Sequence, residues 1–164
     1  MNMPELYQEI ILDHAKRPMN KGVLPDATVT VPADNPTCGD EVTLQLRVAD
    51  GRIEEVKFTG QGCAICMAST SMMTRAIKGK PCAEAEALYR QVHDGVRGSG
   101  EMPKGELGAL SGVKDFPQRV KCALLAWEAL REALGVRKGG GGERVVTTEG
   151  LGGFGWGGEG SCSS

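Results

Sequence analysis

The chain lacks any apolar run near the roughly 18–20 residues that cross a bilayer. No membrane role is expected. Its opening residues, Met1-Asn2-Met3-Pro4-Glu5, lack the apolar stretch of a secretory leader. The expected location is therefore the cytoplasm. A basic surplus is also missing, since 19 Lys and Arg against 21 Asp and Glu leave a net charge of −2. That balance excludes binding driven by a basic surface, so no nucleic-acid partner is expected. Histidine is scarce, with two in 164 residues. No Ser/His/Asp set, phosphate-binding glycine loop or dinucleotide fingerprint is present.

What the chain has instead is 24 glycines and 6 cysteines. Eleven of those glycines fall in the 26 residues from Gly139 to Ser164. Such a segment loses too much backbone entropy on folding and buries too little to offset it. The expected organisation is one domain, residues 1–138, and a flexible Gly-rich tail, residues 139–164. Helical spacing of Leu6, Ile10 and Ile11 predicts a first helix over about Pro4–Lys16. Val29 and Val31 predict a short strand closed by Pro32. Val42, Leu44, Leu46 and Val48 alternate with polar residues and predict a strand with one wet face. It pairs with a strand over about Arg52–Thr59. A three-residue loop, Ala49-Asp50-Gly51, puts Val56 and Phe58 on the apolar face, with Glu54 as a misfit. Further helices are expected over Cys63–Lys78, Ala83–Val92 and Phe116–Leu134, the last capped by Gly135. A glycine-rich connection with one helical turn near Leu107 precedes it. The fold class is α+β: a three-stranded antiparallel sheet with helices packed on one face.

In a reducing cytosol these cysteines are metal ligands, reactive thiols or inert buried residues rather than disulfides. Cys38 lies in the loop Asn35-Pro36-Thr37-Cys38-Gly39-Asp40, where thiol and carboxylate can turn towards one ion. Cys63 opens a helix, where free N–H groups favour a thiolate. Cys122 has Arg119 and Lys121 nearby, cations that lower a thiol pKa. Three thiols and Asp40 suit a four-coordinate site for a borderline-soft metal. Spacing alone leaves open whether they meet or are three unrelated thiols. Cys63-Ala64-Ile65-Cys66 reads as a redox pair, as two ligands, or as one site thiol with Cys66 buried beside Ala68 and Ser69. Cys82 reads as a non-ligand and Cys162 as a free thiol in the tail. His14 suits a capping or packing role, and His93 a solvated one.

Six ordered motifs carry a resemblance. They are Asp13-His14 with Arg17-Pro18-Met19-Asn20-Lys21-Gly22, Asn35-Pro36-Thr37-Cys38-Gly39-Asp40, Gly60-Gln61-Gly62-Cys63-Ala64-Ile65, Ala68-Ser69-Thr70-Ser71-Met72-Met73, Lys78-Gly79-Lys80 and Val120-Lys121-Cys122. Together they resemble the U-type iron–sulfur cluster assembly proteins, the IscU and SufU family, over about residues 5–135. Lys121, where IscU-type proteins usually carry His, and the long connection from Val92 to Phe116 look closer to SufU. The resemblance implies Cys38, Asp40, Cys63 and Cys122 as ligands of Zn²⁺, or alternatively of iron or a [2Fe–2S] cluster. It implies a cysteine desulfurase as partner, with downstream iron–sulfur assembly or acceptor proteins. The protein is then a sulfurtransferase-like shuttle, with Cys38 the sulfur acceptor, or a non-enzymatic scaffold for [2Fe–2S] assembly. A purely structural metal is a third reading. Cys66 stands where the family usually has Ser, and adds a thiol one turn from Cys63.

Overall fold

Strict alternation along Val42, Leu44, Leu46 and Val48 puts every second side chain on one face, and in the computed structural model that face is inward. The structure describes residues 5–138, 142–143 and 146–147. The strand built by this alternation, β2 (Asp40–Ala49), is the middle of an antiparallel ladder between β1 (Val29–Asn35) and β3 (Arg52–Gln61). Two short strands, β4 (Gly142–Glu143) and β5 (Val146–Thr147), run parallel to β1 on its outer side. The rest of the Gly-rich stretch, with Cys162, lies outside the described residues.

The β2–β3 hairpin differs from expectation in its turn and agrees in its register. Ala49 pairs with Arg52, so the loop is the two residues Asp50 and Gly51, with φ of 53° and 72°. Both are left-handed, as a type I′ turn requires. Val56 still faces Leu46 and Phe58 faces Leu44. The register is restored by a bulge beside Arg47 and Val48, opposite the exposed Glu54. The apolar fit of Val56 and Phe58 wins over the ladder, and the misfit residue becomes the extra one. β1 also continues through Pro32 to Asn35. Proline is tolerated there because Pro32 lies between the residues of β1 that β4 and β5 pair with.

Helix α1 (Glu5–Lys16) leads to a segment that shields β3: Asn20 and Gly22 exchange backbone hydrogen bonds with Phe58. Two helices then carry the sulfurs. α2 (Ala64–Ile77) is buried from Ile65 to Thr74, and α4 (Pro117–Lys138) from Cys122 to Leu130. A helix buried on every side is central to the fold. α4 packs on β1 and β2, and α2 packs on β3 and α4. Trp127, fully buried, donates from Nε1 to Ser69 Oγ at 3.0 Å, and Ser69 donates to the Ala123 carbonyl at 2.6 Å. These bonds lock α2 to α4. Burying a side chain of Leu size here contributes about 1.5–3 kcal/mol. α4 runs through Gly135, which is therefore not its cap. α3 (Cys82–Val96) and a 3₁₀ segment, Glu106–Asp115, complete the layer. His14 is buried between Ser71 Oγ, 2.7 Å from Nδ1, and Glu106 Oε1, 2.9 Å from Nε2, so it ties α1 to α2 and the 3₁₀ segment. His93 stacks on Tyr89 and lies 3.7 Å from the buried Glu128, a more enclosed place than its polar sequence context suggested.

Candidate metal centre

The site begins with a four-residue turn. β1 ends at Asn35 and β2 starts at Asp40, and these two residues face each other across the ladder. Between them, the N–H groups of Cys38 and Gly39 both bond the Asn35 carbonyl, at 3.1 and 2.9 Å. Gly39 takes φ of +74°, which lets the turn present the exposed Cys38 thiol and then bring Asp40 inward. Asp40 is fully buried. A buried carboxylate needs donors, and Asp40 has them: Cys63 N–H bonds Oδ1 at 2.9 Å and Asn35 Nδ2 bonds Oδ2 at 3.3 Å. The approach demands Gly62, because a Cβ there would lie 2.6 Å from Asp40 Oδ1.

From the helix side, Cys63 is the N-cap of α2, and its Sγ accepts the Cys66 N–H at 3.4 Å. Cys122 sits on the second turn of α4 and is 1% exposed. The ligand atoms of Cys38, Asp40 and Cys122 all lie within 4.8 Å of one another. Cys63 falls outside that group and meets it through a hydrogen bond with Cys122. That bond stabilises the Cys63 thiolate, with help from the Cys66 N–H, and lowers its pKa to about 6. The same bond, with burial and the nearby Asp40 carboxylate, pushes the Cys122 thiol up. The charge therefore favours Cys63 and the proton Cys122. The expectation that cations would lower Cys122 is not met, and the lowering at Cys63 comes from hydrogen bonds. Arg119, exposed at the start of α4, hydrogen-bonds both sulfurs and is itself held charged, chiefly by Cys63.

Cys66 is fully buried, and burial above all, then the Asp40 and Cys63 charges, raise its pKa. It behaves as a packed thiol rather than a nucleophile. Cys82, buried at the head of α3, is disulfide-bonded, which corrects the expectation against disulfides. Lys121 is half-buried beside Cys122. Next to Cys63 a cavity of about 450 Å³ opens between α1 and the helix starts, with Gln8, Leu12 and Arg119 among its walls.

Three residues escaped the sequence reading. Asn35 marked only a loop, Gly62 only a helix start, and Arg119 only a cation near Cys122. Their signal is adjacency to the site cysteines in sequence, which does not say where a side chain ends. The donor set fits a divalent, borderline-soft metal: two sulfurs and one carboxylate in one group, with the Cys63 sulfur beside Cys122.

A sulfur-rich centre with one aspartate, at the end of a three-stranded antiparallel sheet backed by helices, defines the class. The NifU-like N-terminal domain family matches residues 6–138, and the chain belongs to it. It is 44% identical over 142 residues to the zinc-dependent sulfurtransferase SufU of Bacillus subtilis (strain 168), spanning 85% of this chain and 96% of that one. It is 43% identical over 132 residues to the iron–sulfur cluster assembly scaffold protein IscU of Streptococcus pyogenes serotype M1, spanning 79% of this chain and 82% of that one. Among solved structures, a putative iron–sulfur cluster assembly scaffold protein for the SUF system from Fervidobacterium islandicum AW-1 is 37% identical. It superposes with a TM-score of 0.67 over 76% of this chain and 93% of that one.

Proposed function

We propose that this protein serves iron–sulfur cluster biogenesis as a zinc-dependent sulfur acceptor, taking persulfide sulfur from a cysteine desulfurase in the cytoplasm. Cys38, Asp40, Cys63 and Cys122 hold the ion, and residues 1–138 are the working domain; the expected flexible tail is corrected at β4 and β5, which pair with β1. The observation that carries the reading is one exposed sulfur, Cys38, within 4.8 Å of two buried donors. The zinc-dependent sulfurtransferase of Bacillus subtilis, similar over 96% of its own length, supports it.

Bound Zn²⁺ would keep the thiolates deprotonated and would hold the pocket together. The chain's own residues do the rest. Cys38, on the turn, is the donor most easily freed. Its thiolate attacks the outer sulfur of the partner's Cys–S–SH. A new S–S bond forms at Cys38, the partner's S–S bond breaks, and the partner cysteine leaves as a thiolate. Cys63 and Cys122 stay on their helices. Arg119 offsets negative charge at the Cys63 and Cys122 sulfurs.

A second reading rests on the same donors and on the IscU relative: a scaffold on which [2Fe–2S] is assembled as cargo for acceptor proteins. Metal analysis of gently purified protein, paired with a desulfurase assay with and without it, separates the two. A colourless form with one zinc per chain that stimulates the desulfurase supports the shuttle. A coloured iron–sulfur form that passes its cluster to an apo-ferredoxin, with no stimulation, replaces the shuttle by the scaffold.

A further inference from the structure

Asn35 is fully buried and contacts the Cys38 turn, Asp40 and Cys122. Its carbonyl accepts the N–H groups of Cys38 and Gly39. Its side-chain Nδ2 donates to Asp40 Oδ2 at 3.3 Å and to Cys122 Sγ at 3.8 Å. We propose that Asn35 is a positioning residue for the metal: its amide clamps Asp40 and Cys122 in their ligating pose, leaving Cys38 as the donor free to exchange. This rests on the reading of the cluster as a metal site.

The chemistry of the amide suits that task. It offers two N–H groups on one nitrogen, one for a carboxylate and one for a sulfur. It is neutral, so it steadies two anionic donors without competing with a cation for them, as a lysine would. With Cys63 N–H on Oδ1 and Asn35 on Oδ2, both oxygens of the buried carboxylate are directed. At Cys38, Asn35 holds the backbone through the turn. The clamp is therefore unequal. It restrains the two buried donors and leaves the exposed thiol to rotate.

The test is Co²⁺ titration of the full chain in three forms: unchanged, Asn35→Leu and Asn35→Asp. Loss of an N–H···S bond raises the sulfur lone-pair energy, so the thiolate-to-cobalt charge-transfer band should move to longer wavelength in both variants. Co²⁺ affinity should fall by about 10–100-fold, as for residues that orient metal ligands. Asn35→Asp has the same shape, so it reports even where Asn35→Leu fails to fold. It should bind at least as weakly, because it sets a second carboxylate against Asp40. Charge-transfer energy and affinity unchanged in the folded variants would overturn the clamp while leaving the metal reading intact. An unchanged chain that binds no Co²⁺ would overturn both.

Discussion

Cys38 and Cys122 face one pocket from two regions that hold them in opposite ways. Cys38 stands on a four-residue turn secured by two N–H bonds to a single carbonyl, and its thiol is exposed. Cys122 is on a helix buried on all sides and locked to α2 through Trp127, Ser69 and Ala123. The sheet side of the site is thus suited to exchange and the helix side to retention. A centre that gives up one ligand without emptying needs both.

Removing the helix side should have the largest effect. Cys122→Ser should lose metal by more than about 100-fold, beyond the cost of losing an orienting neighbour. Zinc analysis after dialysis reads it, and full retention would break the comparison. Gly62→Ala comes next. The added methyl overlaps Asp40 Oδ1, so metal affinity should drop and stability should fall by about 1–3 kcal/mol by denaturant unfolding. Gly39→Ala meets no atom within 4 Å. It should cost only the left-handed backbone, about 1–2 kcal/mol, with zinc stoichiometry kept. Smallest at the site is Cys66→Ala. This thiol packs in the core, so about 1–2 kcal/mol of stability should go, with no change in bound zinc. Zinc loss in that variant would return Cys66 to the ligand set.

The sequence was legible where periodicity decides and opaque where long-range geometry decides. The β2 alternation and the apolar residues of α2 and α4 predicted the sheet and its helical cover. Cys38, Asp40, Cys63 and Cys122 were singled out through motifs, but the approach of Cys122 to Cys38 and Asp40 depends on α4 packing on β1 and β2, which no local pattern encodes. The hairpin turn was misread because a three-residue loop and a two-residue loop with a later bulge place Val56 and Phe58 on the same face. Pro32 and Gly135 were taken as stops. The gap between the β4 and β5 pairings on β1 tolerates the first, and the length of packed helix surface carries α4 through the second. Asn35 went unrecognised because its role lies in where a buried amide points, not in the residue type.

The central claim is that Cys38 takes the sulfur while the helix-borne donors keep the metal. Persulfide mapping by mass spectrometry on zinc-loaded chain and Cys38→Ala, each exposed to an active cysteine desulfurase, tests it most directly. The account predicts a 32 Da label on Cys38 (one added sulfur atom) in the unchanged chain. It predicts no label in Cys38→Ala, with part of the zinc retained. A label of normal extent on Cys63 or Cys122 in that variant would contradict it.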